Sequence, residues 1–538
     1  MTESQRPQNT QGMPGAQAGT SPPSDRSQQP PGPQRPRVAI GQLVTGVPGL
    51  DEVLGGGLPE YSFNLIAGAP GSGKTTLVQQ IMFGTASRER PALFFTVLGE
   101  PPLKILRYQQ QFSFFDHAKV DGAVRFINLS QEILEKDLGA VLEGIVREVE
   151  ATNPSIVAVD SFRSVVRASR ATAGGEVELL DFVQRLALHL TSWQATTFLI
   201  GEYPNSADPE GNPVSTIADG IISLHQVTDR NSIVRKLQVS KLRGQASMPG
   251  LHTFRITGDG VQVYPRILKR PKSDEARPQS APGAPLERLR SGVAGFDEML
   301  GGGYPVGDAV LVSGPAGSGK SMLAAQFIAE GLRQGESGVI TVFEEHPEEY
   351  VARADENGLD FSGMVDRDRL EVIYLRPLDL SVDEALLEIQ DAVTRTGARR
   401  LAIDSLSGFE LALAPAFRED FRESLYRMVG ALTGTGVTVF MTVEVAESFT
   451  DLRFSPHQIS FLTDAIIVQR YVELEGQLRK VMSVVKMRRG EHSKDLRLYE
   501  VGPDGIVLGS TLSEYQGIVT GSPVPRVREI RQIPTPPQ

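Results

Sequence analysis

The sequence predicts an α/β fold written twice: two tandem sandwiches, each with a parallel central sheet covered by helices on both faces. Three observations carry this. First, "TGVPGLDEVLGGGLPEYSFNLIAGAPGSGKTTL" from Thr45 matches "SGVAGFDEMLGGGYPVGDAVLVSGPAGSGKSML" from Ser291 without a gap, and Asp160 with Asp404, or Arg243 with Arg488, keep the register. Second, a long period with only two copies is a duplicated domain, because solenoid units run about 20–50 residues. Third, apolar runs such as "SFNLIAG", "ALFFTV", "SIVAVD" and "TTFLIG" alternate with longer helical patterns such as "KTTLVQQIMFGTAS". Buried parallel strands joined by crossover helices read this way.

Composition sets the bounds. At 538 residues and 40% hydrophobic content the chain can bury two full cores. Residues 1–37, rich in Pro, Gln, Ser and Gly, cannot bury enough apolar surface to fold and are expected to be a disordered tail. Residues 38–268 form the expected first domain. "KRPKSDEARPQSAPGAP" at 269–285 is a linker, residues 286–508 the second domain, and residues 509–538 a Pro-rich, loosely held tail. A formal charge of −11 gives no global basic footprint, so nucleic acid binding would have to be local. With no cysteine, disulfides, thiolate catalysis and Cys-ligated zinc are excluded, and seven scattered histidines offer no imidazole-rich metal site. No signal-peptide core and no run of about eighteen apolar residues is present, so a soluble cytoplasmic protein without membrane segments is expected.

The chemistry gathers at two glycine-rich turns, "GAPGSGKT" at 68–75 and "GPAGSGKS" at 314–321, each between a strand and a helix. Both satisfy the P-loop pattern, in which backbone N–H groups and a helix N-terminus cradle phosphates. The nucleotide-binding candidates are Gly68, Gly71, Ser72, Gly73, Lys74, Thr75 and Thr76, and in the second copy Gly314, Gly317, Ser318, Gly319, Lys320, Ser321 and Met322. Lys74 and Lys320 would reach the β and γ phosphates of ATP, and the Thr75 and Ser321 hydroxyls would hold Mg2+. Asp160 and Asp404 each end an apolar strand, where a carboxylate can hold Mg2+ through water, although Asp is also a common turn residue.

An acid pair follows the next strand of the second copy: "FEE" supplies Glu344 and Glu345, whereas the first copy reads "LGE", with Gly99 before Glu100. A P-loop enzyme needs an acceptor that orients the nucleophile, and glycine cannot serve. The catalytic candidates are therefore Glu344, Glu345 and Glu100, and the first site is expected to bind nucleotide but turn it over slowly unless Glu100 suffices. Each half ends in a basic tip, Lys241 and Arg243 or Lys486, Arg488 and Arg489. Such a tip is either an arginine finger for a neighbouring subunit or a solvated hairpin end.

From about residue 40 to 525 the chain resembles KaiC, the double-domain RecA-like ATPase of the bacterial circadian clock and its wider signalling family. The lead-in "GLDEVLGGG", the paired P-loops, "FEE", "KLRG" and "KMR" carry the resemblance. It implies two tandem RecA-like domains, ATP with Mg2+ between subunits of a two-tiered homohexamer, and the basic tips of Lys241, Arg243, Lys486 and Arg488 on a neighbour's nucleotide. It also implies slow hydrolysis in the first ring and autophosphorylation of a Ser-Thr pair in the second. That pair maps to Ser460 and Phe461 in "HQISFLTD", so the serine is present and the threonine is not; Thr463 is the next hydroxyl. "PVSTIADG" in the first half does hold Ser215 and Thr216, but there the acid pair is incomplete. Ser460 is the one phosphorylation candidate, with Glu344 as base, and a turn residue is the plain alternative. "YQGIVTGSPVPRV" resembles the family's regulatory loop, which implies KaiA- or KaiB-like or other signalling partners.

Two other readings remain at this stage. One is a DNA-stimulated ATPase of the RecA/RadA recombinase type; its candidate charges, Arg163, Arg167 and Arg170, lack interleaved aromatic platforms. The other is a non-catalytic ATP sensor that binds nucleotide in both halves without releasing phosphate.

Overall fold

A computed structural model describes residues 40–97, 102–129, 138–160, 182, 184–189, 194–201, 213–229, 232–266, 286–375, 380–413, 421–445, 461–518 and 523–525. The expected N-terminal tail and the linker at 269–285 lie outside the described residues.

The first half is built on β1 (Phe63–Gly68), β2 (Ala92–Thr96), β3 (Val124–Asn128), β4 (Ile156–Asp160), β5 (Thr196–Gly201), β6 (Gly220–Asp229), β7 (Ser232–Leu242), β8 (His252–Thr257) and β9 (Gly260–Tyr264). Its main helices are α1 (Lys74–Thr85) and α2 (Leu138–Thr152). The strands form one sheet in the order β3-β2-β4-β5-β1-β6-β7-β8-β9, parallel as far as β6 and antiparallel beyond it. Strand β1 is buried at every position. Phe63, Leu65 and Ala67 enter one apolar layer and Ile66 the opposite one, which is why the sequence shows an unbroken apolar run rather than alternation.

The second half repeats this with β10 (Ala309–Gly314), β11 (Gly338–Val342), β12 (Leu370–Tyr374), β13 (Arg400–Asp404), β14 (Thr438–Glu444), β15 (Ala465–Leu474), β16 (Gln477–Met487), β17 (Arg497–Gly502) and β18 (Gly505–Thr511). Its helices include α3 (Lys320–Arg333), α4 (Pro347–Glu356), α5 (Val382–Thr396), α6 (Leu406–Ala412) and α7 (Phe421–Gly434). The sheet order, β12-β11-β13-β14-β10-β15-β16-β17-β18, is that of the first half. Two tandem RecA-like domains, each with a nine-stranded and mostly parallel sheet, are thus present. Arg255 on β8 bonds Glu384 on α5 at 2.6 Å, and Arg266 bonds Glu423 on α7 at 2.7 Å, joining the first half to the second.

Strand β18 runs past residue 508, where the sequence suggested the second domain would end. Leu512 and Ile518 then bury against Val472 and Leu474 of β15, so the start of the expected loose tail is packed. The cause is apolar residues spaced among the tail's prolines and glycines, which average composition hides. Among the described residues no helix is long and apolar enough to cross a membrane.

Candidate active site

Each P-loop joins the central strand of its sheet to the next helix, β1 to α1 and β10 to α3. Gly73 and Gly319 cap these helices at φ 98 and 102, in the left-handed region. A Cβ there would lie 2.5 Å from Ile256 Cδ1 or 2.9 Å from Val501 Cγ2, so only glycine lets the helix start press against β8 or β17. Thr76 and Met322 stand in the first turn of their helices. That pressed geometry aims the free helical N–H groups at the loop mouth.

The two lysines are buried: Lys74 is 7% exposed and Lys320 9%. Lys74 Nζ donates to the carbonyls of Gly68 (3.0 Å) and Ala69 (2.8 Å), and Lys320 Nζ to that of Pro315 (2.7 Å). Neither forms an ion pair among the described residues. Burial lowers both pKa values, opposed by Asp160 for Lys74 and by Glu444, Asp404 and Glu344 for Lys320. A buried ammonium held by loop carbonyls alone fits a site completed by phosphate.

In the first half Thr75 Oγ1 donates to Asp160 Oδ2 at 2.7 Å. Burial raises the Asp160 pKa, opposed by this hydrogen bond and by Lys74. Asp160 ends β4, two strands from β1. Gly99 and Glu100 lie outside the described residues.

Glu202, which follows β5 as Glu444 ends β14, also lies outside the described residues; in the second half the strand-end carboxylates are described. Strands β11, β13, β14 and β10 are adjacent and parallel, with Val342 opposite Asp404 and Gly314 opposite Glu444. Glu344, Asp404 and Glu444 therefore stand at successive strand ends beside the P-loop, the edge where α/β sheets bind ligands. Asp404 accepts from Thr442 Oγ1 at 2.6 Å; the described contacts do not bring Ser321 onto it as Thr75 is brought onto Asp160. The acid pair divides its work: Glu345 bonds Arg353 of α4 at 2.5 Å, whereas Glu344 is exposed, lies against Gly408, and has no ion pair among the described residues. Among the described residues no three His, Asp or Glu side chains form a metal cage.

The basic tips hold their own chain. Lys241 Nζ donates to the carbonyls of Ser215 (3.0 Å) and Thr216 (3.2 Å), and Arg243 to Asp219 at 3.2 Å. Lys486 Nζ donates to the Thr463 carbonyl (2.7 Å) and Arg488 to that of Phe461 (2.6 Å). Arg489 instead turns inward to the fully buried Asp308 at 2.8 Å. Ser460, Arg163, Arg167 and Arg170 lie outside the described residues. Phe461 is exposed, stacked on Tyr426 at 6.4 Å with the Arg422 guanidinium 4.9 Å from its ring centre.

Three members of this constellation escaped sequence reasoning: Glu444, Thr442 and Arg353. The first carries the signal used for Asp160, an apolar strand, "TVFMTVE", ending in an acid. Arg353 has no such signal, because its partner is set by how α4 folds back.

The family model described as "ATPase: KaiC" matches residues 43–267 and again residues 289–513. Circadian clock oscillator protein KaiC 1 of Synechocystis sp. is 29% identical over 505 residues, covering 91% of this chain and 93% of its own. Circadian clock oscillator protein KaiC of Picosynechococcus sp. is 28% identical over 497 residues, covering 90% and 92%. The protein of that name from Prochlorococcus marinus (strain MIT 9313) is 27% identical over 496 residues, covering 90% and 96%.

Proposed function

The chain belongs to the KaiC family of ATPases, and from that premise we propose that it forms a two-tiered homohexamer that binds ATP with Mg2+ in both halves and hydrolyses it mainly in the second. The observation that carries the asymmetry is Glu344, exposed at the end of β11 and acting on the buried Lys320, at a position where the first half has Gly99. Among the described residues of the first half Asp160 acts on Lys74, while Glu100 and Glu202 lie outside them.

In this reading the γ-phosphorus accepts a water oxygen as its bond to the bridging oxygen breaks, and ADP departs with that electron pair. Glu344, exposed and unpaired among the described residues, orients the water and takes its proton. Glu345, tied to Arg353, supports the position of its neighbour. Lys320 and the N–H groups of the P-loop balance the charge that develops on the phosphate oxygens. Mg2+ would supply further charge neutralisation, held by Ser321 and Asp404 in the second half and by Thr75 and Asp160 in the first. Arg243 and Arg488, with side chains 59% and 48% exposed, are the proposed fingers toward an adjoining subunit.

Phosphate release tests the asymmetry. Glu344→Gln is expected to lower the rate by about a hundred-fold and Glu100→Gln by less than about three-fold; equal losses contradict the proposal. Single-stranded DNA should leave the rate unchanged, and stimulation would favour the recombinase reading.

The finer proposal is single-site autophosphorylation at Ser460. It is supported by the acid pair in the same half and by the burial of Thr463, at 1% exposure, which withdraws the next hydroxyl. Intact mass after incubation with ATP should rise by one phosphoryl group, localised to Ser460; no increment refutes it. The relatives' names, circadian clock oscillator proteins, support extending the proposal to timing, and the resemblance of "YQGIVTGSPVPRV" to a regulatory loop extends it to KaiA- or KaiB-like or other signalling partners.

A further inference from the structure

Beneath their mouths the two P-loops share the residues Gly-Ser-Gly-Lys but not their supports. In the second half the fully buried Ser318 Oγ donates to Gln469 Oε1 of β15 at 3.0 Å, and Tyr499 Oη of β17 donates to the Ser318 carbonyl at 2.6 Å. One residue of the loop is thus held through its side chain by β15, the parallel neighbour of β10, and through its backbone by β17 of the antiparallel extension.

The same places in the first half are filled by β6 and β8. A Cβ on Gly68 would lie 2.5 Å from the Leu224 carbonyl oxygen, as one on Gly314 would lie 2.7 Å from that of Gln469. A Cβ on Gly73 would face Phe254 at 3.8 Å, as one on Gly319 would face Tyr499 at 3.9 Å. Leu224 and Phe254 are therefore the counterparts of Gln469 and Tyr499. Leucine offers no acceptor and phenylalanine no hydroxyl. Ser72 Oγ is as buried as Ser318 Oγ, yet among the described residues it has no hydrogen-bond partner.

We propose that Gln469 and Tyr499 are positioning residues of the second site, holding its P-loop in the phosphate-binding conformation before nucleotide arrives. The first loop, without either support, takes its order from the bound phosphates. A loop that is competent only part of the time weakens apparent affinity in proportion to the competent fraction, and prior ordering removes that cost. The signature is a change in affinity at nearly constant turnover, since the occupied loop is ordered either way.

The inference rests on nucleotide binding by both P-loops but not on where ATP is hydrolysed. Its test is therefore binding of a fluorescent, non-hydrolysable ATP analogue with Mg2+ to the full chain. In a Lys74→Ala background, where the second site reports, Gln469→Met and Tyr499→Phe are each expected to raise Kd about three-fold, and together about ten-fold. The kcat at saturating ATP should stay within about two-fold. In a Lys320→Ala background, Leu224→Gln with Phe254→Tyr should tighten the first site by about three-fold or more. An unchanged Kd with a lowered Tm in the second-site variants would reduce both residues to packing and overturn the proposal. Should those variants fail to fold, the graft into the first half decides alone, and no tightening there overturns it.

Discussion

The first and second halves carry the same nine-stranded sheet and the same P-loop, but they differ in the first acid after the next strand, Gly99 in one and Glu344 in the other. Among the described residues Lys74 meets two loop carbonyls and Asp160, linked to Thr75, and Lys320 faces Asp404, Glu444 and the exposed Glu344, whose first-half position is Gly99. The comparison teaches that cradle and chemistry are separable. Strand order and glycine conformation place the cradle, and both halves keep them. The reactive groups sit at strand ends or just past them, where a substitution changes chemistry without disturbing the buried middle of a strand.

The largest effect expected of a single change that tests this contrast in stability is at Asp308. Arg489 pairs with this fully buried carboxylate, while the aligned first-half positions, Ser62 and Gly244, carry no charge. Arg489→Ala should cost about 3 kcal/mol in urea unfolding, by removing the guanidinium that pairs with a buried carboxylate. Ser62→Ala, which removes a hydroxyl bonded to the Pro59 carbonyl at 2.6 Å, should cost about 1 kcal/mol. A similar cost for both would erase the contrast.

At the second site, Thr442→Val removes the hydroxyl bonded to Asp404. A loss of about ten-fold in phosphate release at sub-saturating Mg2+ is expected, about 1.4 kcal/mol of carboxylate positioning. Rescue at high Mg2+ would sharpen the reading; an unaffected rate would remove Thr442 from the site. The smallest effect is at Arg353, 41% exposed. Arg353→Ala should cost less than about 1 kcal/mol of stability, as surface ion pairs do. Its effect on phosphate release should not exceed about three-fold, because Glu345 supports rather than performs the chemistry. A loss as large as that of Glu344→Gln would move the base to Glu345.

Much of this was legible in the sequence, for local reasons. The P-loops, the strand-end aspartates and the doubled architecture depend on residues close together in the chain, so motif and periodicity reveal them. Glu444 depends on β14 lying beside β10, a consequence of crossover order rather than of sequence distance. Gln469 and Tyr499 lie farther still along the chain, on β15 beside β10 and on β17 of the antiparallel extension. The sequence shows Leu224 and Phe254 as ordinary strand residues, and only the sheet reveals that they stand where hydrogen bonds could have been. The packed start of the C-terminal tail was missed because a Pro-rich composition outweighed Leu512 and Ile518.

Single-site phosphate release from the full-length chain tests the central claim most directly. Lys74→Ala leaves the second P-loop intact and Lys320→Ala leaves the first. The account predicts that the Lys74→Ala variant retains most of the wild-type rate at saturating Mg·ATP and that the Lys320→Ala variant loses nearly all of it. Equal rates, or the reverse order, would contradict it.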